Sequence, residues 1–273
     1  MLAPMRRRTL ILLLTLLLAG YSLLLLLLWL AQDQLVFPGA GRQMRPVAIA
    51  GVETIELRGP AGSFRVAEAV PERPRAVLLF FGGNAESLPS LAERAAAYAR
   101  AGIAVVSPEY PGYGASAGRP GVASFQAMAE VAAAHARALA TQRSLPLTIG
   151  GHSLGSFCAV HLAAAGLADR LLLLAPPTTL AAAAGHGFWW APVSLLLRHD
   201  FDNLAVAGRV RCPALVLHGD ADAIVPIALG ERLCAAFAGP RQFVLVPGAG
   251  HNDLPFGPEG PFCDLLLGFL TGK

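Results

Sequence analysis

At 273 residues, with 55% hydrophobic and 14% charged side chains, the chain has room for one large α/β domain and is unusually apolar. Its formal charge of +3 comes from Arg6, Arg7 and Arg8, because removing those three from 21 basic residues leaves 18 against 18 acidic ones. A body that is neutral overall argues against a nucleic-acid partner, and no basic tract, zinc-spaced Cys/His cluster or GxxxxGK[ST] loop occurs.

Thr9 to Ala31 read TLILLLTLLLAGYSLLLLLLWLA, 23 residues without a charge. As a helix rising about 1.5 Å per residue, this run would span roughly 34 Å, slightly more than a hydrocarbon core. It predicts a single membrane anchor. A cleaved signal peptide has a shorter apolar region, of about 7–15 residues, and a small-x-small site. WLAQDQLVF offers no such site, and LAGY lacks the cysteine of a lipoprotein box. Three arginines precede the run, whereas Asp33 lies nearer beyond it than Arg42 or Arg45. The N-terminus is therefore expected in the cytoplasm and the remainder on the far side. Residues 1–33 read as N-terminus plus anchor, and 34–273 as an extracytoplasmic domain.

QDQLVFPGAGRQMRP (32–46) reads as a connector rather than a packed element. VETIEL (52–57) and FRVAEAV (64–70) predict two antiparallel strands joined by a turn. Continuous apolar runs follow at 76–81, 103–107, 147–150, 171–175, 214–218 and 243–247. Such runs suit strands covered on both faces, as in a parallel sheet. Alanine-rich stretches at 85–102 and 121–142, and GPFCDLLLGFL near the end, predict helices between and after them. The alternation predicts a doubly wound α/β sheet, with no internal repeat and no second domain. Residues 178–211 are long for one crossover and read as a small lid over the sheet's C-terminal edge, carrying Phe188, Trp189 and Trp190. Cys158, Cys212, Cys234 and Cys263 lack paired spacing and read as small apolar residues, although Cys234 and Cys263 are a conceivable pair.

One strand signal ends in GGHSLG, with Ser153 between Gly151 and Gly155 and an alanine-rich helix following. That spacing fits a nucleophile elbow, a sharp turn that projects a hydroxyl from the sheet. A serine needs a base, and His251 in FVLVPGAGHND follows the final strand. His135 and His161 fall in helices, His186 and His199 in the lid, His218 at a strand end, and His152 should point away from the serine. The base needs a carboxylate, and LVLHGDADAIVP offers both Asp220 and Asp222, one of them expected to serve the turn. The amides of Leu154 and of Asn84 in FFGGNAES are candidate oxyanion donors.

In this order FGGNAES, PEYPGYGASAGRP, GGHSLGS, LHGDADAIVP and GAGHND resemble the α/β-hydrolase superfamily over residues 52–273. More narrowly, the chain is similar to membrane-anchored α/β-hydrolase-domain proteins with a short lid. The resemblance implies a mostly parallel central sheet with helices on both faces. It also implies a triad of Ser153, Asp222 and His251, with Asn84 and Leu154 donating to the oxyanion, and selects Asp222 over Asp220. Gly82 departs from the pattern, since many relatives carry histidine there, but the departure leaves the main-chain donor in place. The expected activity is cleavage of acyl esters or thioesters on an acyl-bearing or lipid-like substrate, with no metal or organic cofactor. Amide or peptide cleavage, or a noncatalytic membrane-tethered binding role on the same fold, are the alternatives.

Overall fold

The computed structural model describes residues 7–42 and 48–273. Arg6 and Arg45, used in the orientation reading, and connector residues 43–47 lie outside the described residues. Helix α1 (Arg7–Val36) is followed by strands β1 (Glu53–Gly59), β2 (Gly62–Ala69) and β3 (Ala76–Phe81). The chain then alternates through α2 (Leu88–Arg100), β4 (Ile103–Pro108), α3 (Val122–Gln142), β5 (Leu147–His152), α4 (Gly155–Ala164) and β6 (Arg170–Leu174). Three short helices occupy the 178–211 interval: α5 (Leu180–Gly187), α6 (Val193–Leu196) and α7 (Leu204–Ala207). Strand β7 (Ala214–Gly219), helix α8 (Ile227–Ala236), strand β8 (Arg241–Val246) and helix α9 (Cys263–Thr271) complete the order.

All eight strands form one open sheet in the order β1-β2-β4-β3-β5-β6-β7-β8. β2 pairs antiparallel with β1 and β4, and every other pairing is parallel. The continuous apolar runs are explained by this burial, because β3, β4, β5 and β7 are buried at every position. Alternate residues of β3 serve opposite cores. Val77, Leu79 and Phe81 pack beneath α3 and α4, whereas Ala76, Leu78 and Phe80 pack beneath α2 and α9. Alanine at 129, 132, 133 and 136 lets α3 lie close on the sheet. The run at 243–247 differs: β8 is an edge strand, and only Val246 of it is buried. An edge strand is covered on fewer sides, so an apolar run alone did not distinguish it from a central one.

The four cysteines are free, Cys158 and Cys234 buried and Cys212 and Cys263 partly so, so Cys234 and Cys263 are not bonded to each other.

The connector reading is corrected for residues 32–37. Helix α1 continues past Ala31 to Val36, Gln32 is buried, and Phe37 is 1% exposed. The Phe37 ring meets Phe125, His199 and Phe201 edge-on at centroid distances of 5.5, 4.7 and 6.2 Å. Ala40 then bridges to Tyr113, and the Gly41 amide donates to the Gly112 carbonyl at 2.9 Å. The segment after the helix is thus part of the core, because an aromatic ring there gains more by burial than by exposure. Phe37→Ala in the full chain should cost about 3–5 kcal/mol of unfolding free energy, measured by denaturation in micelles. A loss below about 1 kcal/mol would return this segment to a loose tether.

Candidate active site

Strand β5 runs out at His152, and Ser153 turns the chain into α4 with φ of 50°, a left-handed conformation rare for a residue with a side chain. Its amide is held by the Leu174 carbonyl at 2.9 Å. The flanking glycines have a steric cause. A Cβ on Gly151 would lie 2.3 Å from the Gly155 carbonyl oxygen, and one on Gly155 would lie 2.1 Å from that of Phe81. The turn therefore packs directly on the end of β3.

Four of the predicted residues follow the carboxyl ends of parallel strands: Asn84 after β3, Ser153 after β5, Asp222 after β7 and His251 after β8. This is the edge where open α/β sheets place ligands. Ser153 Oγ lies 2.9 Å from His251 Nε2, and His251 Nδ1 lies 2.7 Å from Asp222 Oδ2. The carboxylate accepts a hydrogen bond from Nδ1–H, which leaves Nε2 to accept from the serine hydroxyl. Asp222 Oδ1 also accepts from the amides of Ile224 and Val225, at 2.9 and 2.8 Å. His218 Nε2 stands 3.3 Å from Oδ2. Burial alone would raise the Asp222 pKa, but hydrogen bonds from His218, His251 and the Val225 amide hold it well below the usual carboxylate range. Asp220 does the other job, accepting from the Gly248 amide at 2.7 Å to close the loop.

Asn84, Ser153 and His251 share a cavity of about 230 Å³ with Gly83, Glu86 and Phe256. Leu154 is buried at the N-cap of α4 with helical φ and ψ of −53° and −36°. The loop carrying Asn84 is propped from below by PEYPGYG. Tyr110 donates to the Gly82 carbonyl at 2.5 Å, and Tyr113 donates to the Asn84 carbonyl at 2.9 Å. The Asn84 side chain donates to the Val36 carbonyl at the end of α1, at 3.3 Å. Residues 178–211 contribute no wall to this cavity; among them Phe188, Val193 and Leu196 instead line an apolar groove against Leu28 and Trp29 of α1. Among the described residues no cluster of three or more His, Cys, Asp or Glu side chains is gathered as a metal site.

A charged group that sequence reasoning did not single out stands beside this chain of bonds. His152 turns away from the serine as expected, with Nδ1 3.1 Å from Glu86 Oε1 and Nε2 3.0 Å from the His251 carbonyl. Both partners are acceptors, so the two bonds form together only when both ring nitrogens carry hydrogen. Arg94 donates to Glu86 Oε2 at 2.6 Å and sits against the stacked pair Phe80 and Phe256, 4.8 and 4.7 Å from their centroids. A Cβ on Gly82 would come within 2.9 Å of Leu91 and 3.0 Å of Glu86, so Glu86 fills the space that a larger residue at 82 would need. Glu86 stands in the FGGNAES stretch, but nothing local shows that its partners lie 66 residues along the chain and on α2.

An eight-stranded, mostly parallel sheet with a strained serine between β5 and α4 defines an α/β serine hydrolase. The chain belongs to the α/β-hydrolase superfamily. A family model described as "Serine aminopeptidase, S33" matches residues 72–206. An uncharacterized protein of Mycobacterium tuberculosis is 35% identical over 197 residues, 71% of this chain and 69% of its own length. Human alpha/beta hydrolase domain-containing protein 17B is 29% identical over 196 residues, 71% of this chain and 66% of its own. Among solved structures, a Pyrococcus furiosus esterase superposes with a TM-score of 0.68 at 13% identity, covering 85% of this chain and 96% of its own. An α/β serine hydrolase without lid from Xanthomonas campestris gives 0.54 at 24%, covering 76% and 88%.

Burial would raise the Glu86 pKa, but the bond to His152 and the charge and bond of Arg94 bring it down from 4.5 to about 2. A depressed carboxylate stabilises the fold fully above its unfolded value and loses that contribution as pH falls from 4.5 toward 2. Glu86→Gln should therefore be less stable than the parent at pH 6, with the gap narrowing by about 1 kcal/mol by pH 3.5 in denaturant titrations. A gap that stays constant over that range would show that Glu86 is not held as an ion.

Proposed function

We propose that this protein is a membrane-anchored serine hydrolase that cleaves acyl esters or thioesters through an acyl-enzyme. The observation that carries the reading is the continuous bond chain from Ser153 Oγ through His251 to Asp222. Substrate enters the cavity with its carbonyl carbon at Ser153 Oγ and its oxygen toward the Asn84 and Leu154 amides. His251 Nε2 takes the serine proton as the carbon–oxygen bond forms, and Asp222 stabilises the imidazolium. The tetrahedral intermediate collapses when His251 protonates the leaving oxygen or sulfur. His251 next removes a proton from water as it attacks the acyl carbon, and returns that proton to Ser153 Oγ as the acid departs. These steps use no metal or organic cofactor.

The substrate class is acyl-bearing and lipid-like. Helix α1 supports this, because its apolar length suits a bilayer and would concentrate the site near membrane-borne acyl groups. Arg7 and Arg8 at its start support a cytoplasmic N-terminus and an extracytoplasmic catalytic domain. The serine aminopeptidase description of the matching family supports amide cleavage as a second reading. An ester and an amide of one acyl group, assayed side by side, separate the two by their relative kcat/KM.

Ser153→Ala should abolish labelling by a fluorophosphonate and lower turnover by on the order of 10³-fold or more. Near-normal esterase activity in that variant would remove the assignment. Asp222→Asn should cost on the order of 10⁴ in kcat by spoiling the tautomer of His251, whereas Asp220→Asn should stay within about tenfold of the parent. A reversed order would move the acid to Asp220.

For topology, a reporter active only in the cytoplasm and fused after Lys273 should be silent; strong signal from it would reverse the orientation.

A further inference from the structure

Helix α1 and the 178–211 segment touch along a line rather than at a point. Covered positions on α1 recur at Leu25, Leu28, Gln32 and Val36, a spacing of three or four that marks one helix face. At the upper end Gln32 Oε1 accepts from the Arg198 amide at 2.7 Å, and its Nε2 donates to the Leu196 carbonyl at 3.2 Å. At the lower end the Tyr21 hydroxyl donates to the Trp190 carbonyl at 3.0 Å. Those two contacts are eleven positions apart on α1, about 16 Å along the helix axis.

Both partners change from polar to apolar at the same level. Asp33 is the first charge on α1 after Arg8, and it is bonded by Arg198 at 3.0 Å and by His199 at 2.8 Å. Below that level α1 carries no formal charge back to Thr9, and the other segment carries no Asp, Glu, Lys or Arg from Thr178 to Leu197, His186 being its one titratable side chain. The Arg198 guanidinium sits 4.9 Å from the centre of the Trp29 ring, a cation and an indole at the boundary where membranes favour both. In the same stretch Trp189 is 82% exposed and Leu195 is 85% exposed. Two large apolar side chains in a charge-free turn are a costly surface in water and a favourable one in hydrocarbon.

We infer that residues 187–197 form a second, non-spanning membrane element, inserted beside α1 in the leaflet nearest the catalytic domain, with lipid acyl chains as the partner. The inference rests on the reading of α1 as a membrane anchor. If Asp33 marks the bilayer surface, the contact with Tyr21 carries the backbone of Trp190 about 18 Å below it. A backbone carbonyl at that depth needs an internal donor, and the Tyr21 hydroxyl supplies one. Pro192 in the same turn has no N–H to satisfy. The groove lined by Trp29, Phe188 and Leu196 then faces acyl chains, and Val36 at its upper end holds the Asn84 side chain through its carbonyl.

The test uses the full chain in phosphatidylcholine vesicles and its three tryptophans, Trp29, Trp189 and Trp190. A variant with Trp29→Phe and Trp190→Phe reports Trp189 alone, and one with Trp189→Phe and Trp190→Phe reports Trp29 alone. Lipids brominated on their acyl chains should remove more than half of the emission of both, and aqueous iodide should leave Trp189 unquenched. Bromolipid quenching of Trp29 with iodide quenching of Trp189 overturns the inserted element while leaving the anchor intact. If neither tryptophan responds to bromolipid, the anchor reading fails with it. Protection of Trp189 from both quenchers would assign the patch to a protein partner or a second copy, and also overturns the inference. Hydrolase activity is not read, so these outcomes are independent of the catalytic assignment.

Discussion

The carbonyl of Phe81, at the end of β3, lies where a side chain on Gly155 would have to be, and the site is built around that contact. Because no Cβ intervenes, the start of α4 can touch the strand that leads into the Gly82–Glu86 loop. Ser153 is thereby lifted at a positive φ into the cavity that Asn84 also lines. The strain of that conformation, of order 1–3 kcal/mol, is sustained by buried strands on either side and by the bond to the Leu174 carbonyl. A side chain at either glycine would push the turn away from β3 and separate the serine from its neighbours.

Around this turn the polar groups are held by partners that themselves have no freedom. His251 is gripped at Nδ1 by Asp222 and at its carbonyl by His152, and His152 is in turn paired with Glu86, which Arg94 also bonds. Each of these groups would be costly to bury alone, and together they form a satisfied network whose members fix one another's positions. Tyr110 and Tyr113 do the same for the carbonyls of the opposing loop. Where the imidazole stands is thus decided by four separate elements of the fold, not by the loop that carries it.

The first helix contributes more than length. Its last turn delivers Phe37 into the core and the Val36 carbonyl to Asn84, so the element suited to a membrane is also mechanically continuous with the sheet edge that carries Ser153. The 178–211 segment packs on this helix and leaves the cavity of Ser153 uncovered.

Features set by near neighbours were legible in the chain itself. Runs such as AVLLFF spell strands covered on both faces, alanine at helical spacing spells close-packed helices, and GHSLG spells a turn that tolerates no side chain at two positions. The charge-free stretch from Thr9 to Ala31 follows equally from local composition. Other features were decided only when distant segments met. Asp220 and Asp222 differ by two positions in one loop, and the choice between them depends on which carboxylate reaches a ring 29 residues further on. Glu86 has no local mark as the partner of His152, FVLVP does not announce a sheet edge, and LVF after the anchor does not announce that its phenylalanine is core. Composition and periodicity record what a residue's immediate surroundings demand, whereas a hydrogen bond across the sheet exists only once every intervening element has been packed to bring its two ends within about 3 Å.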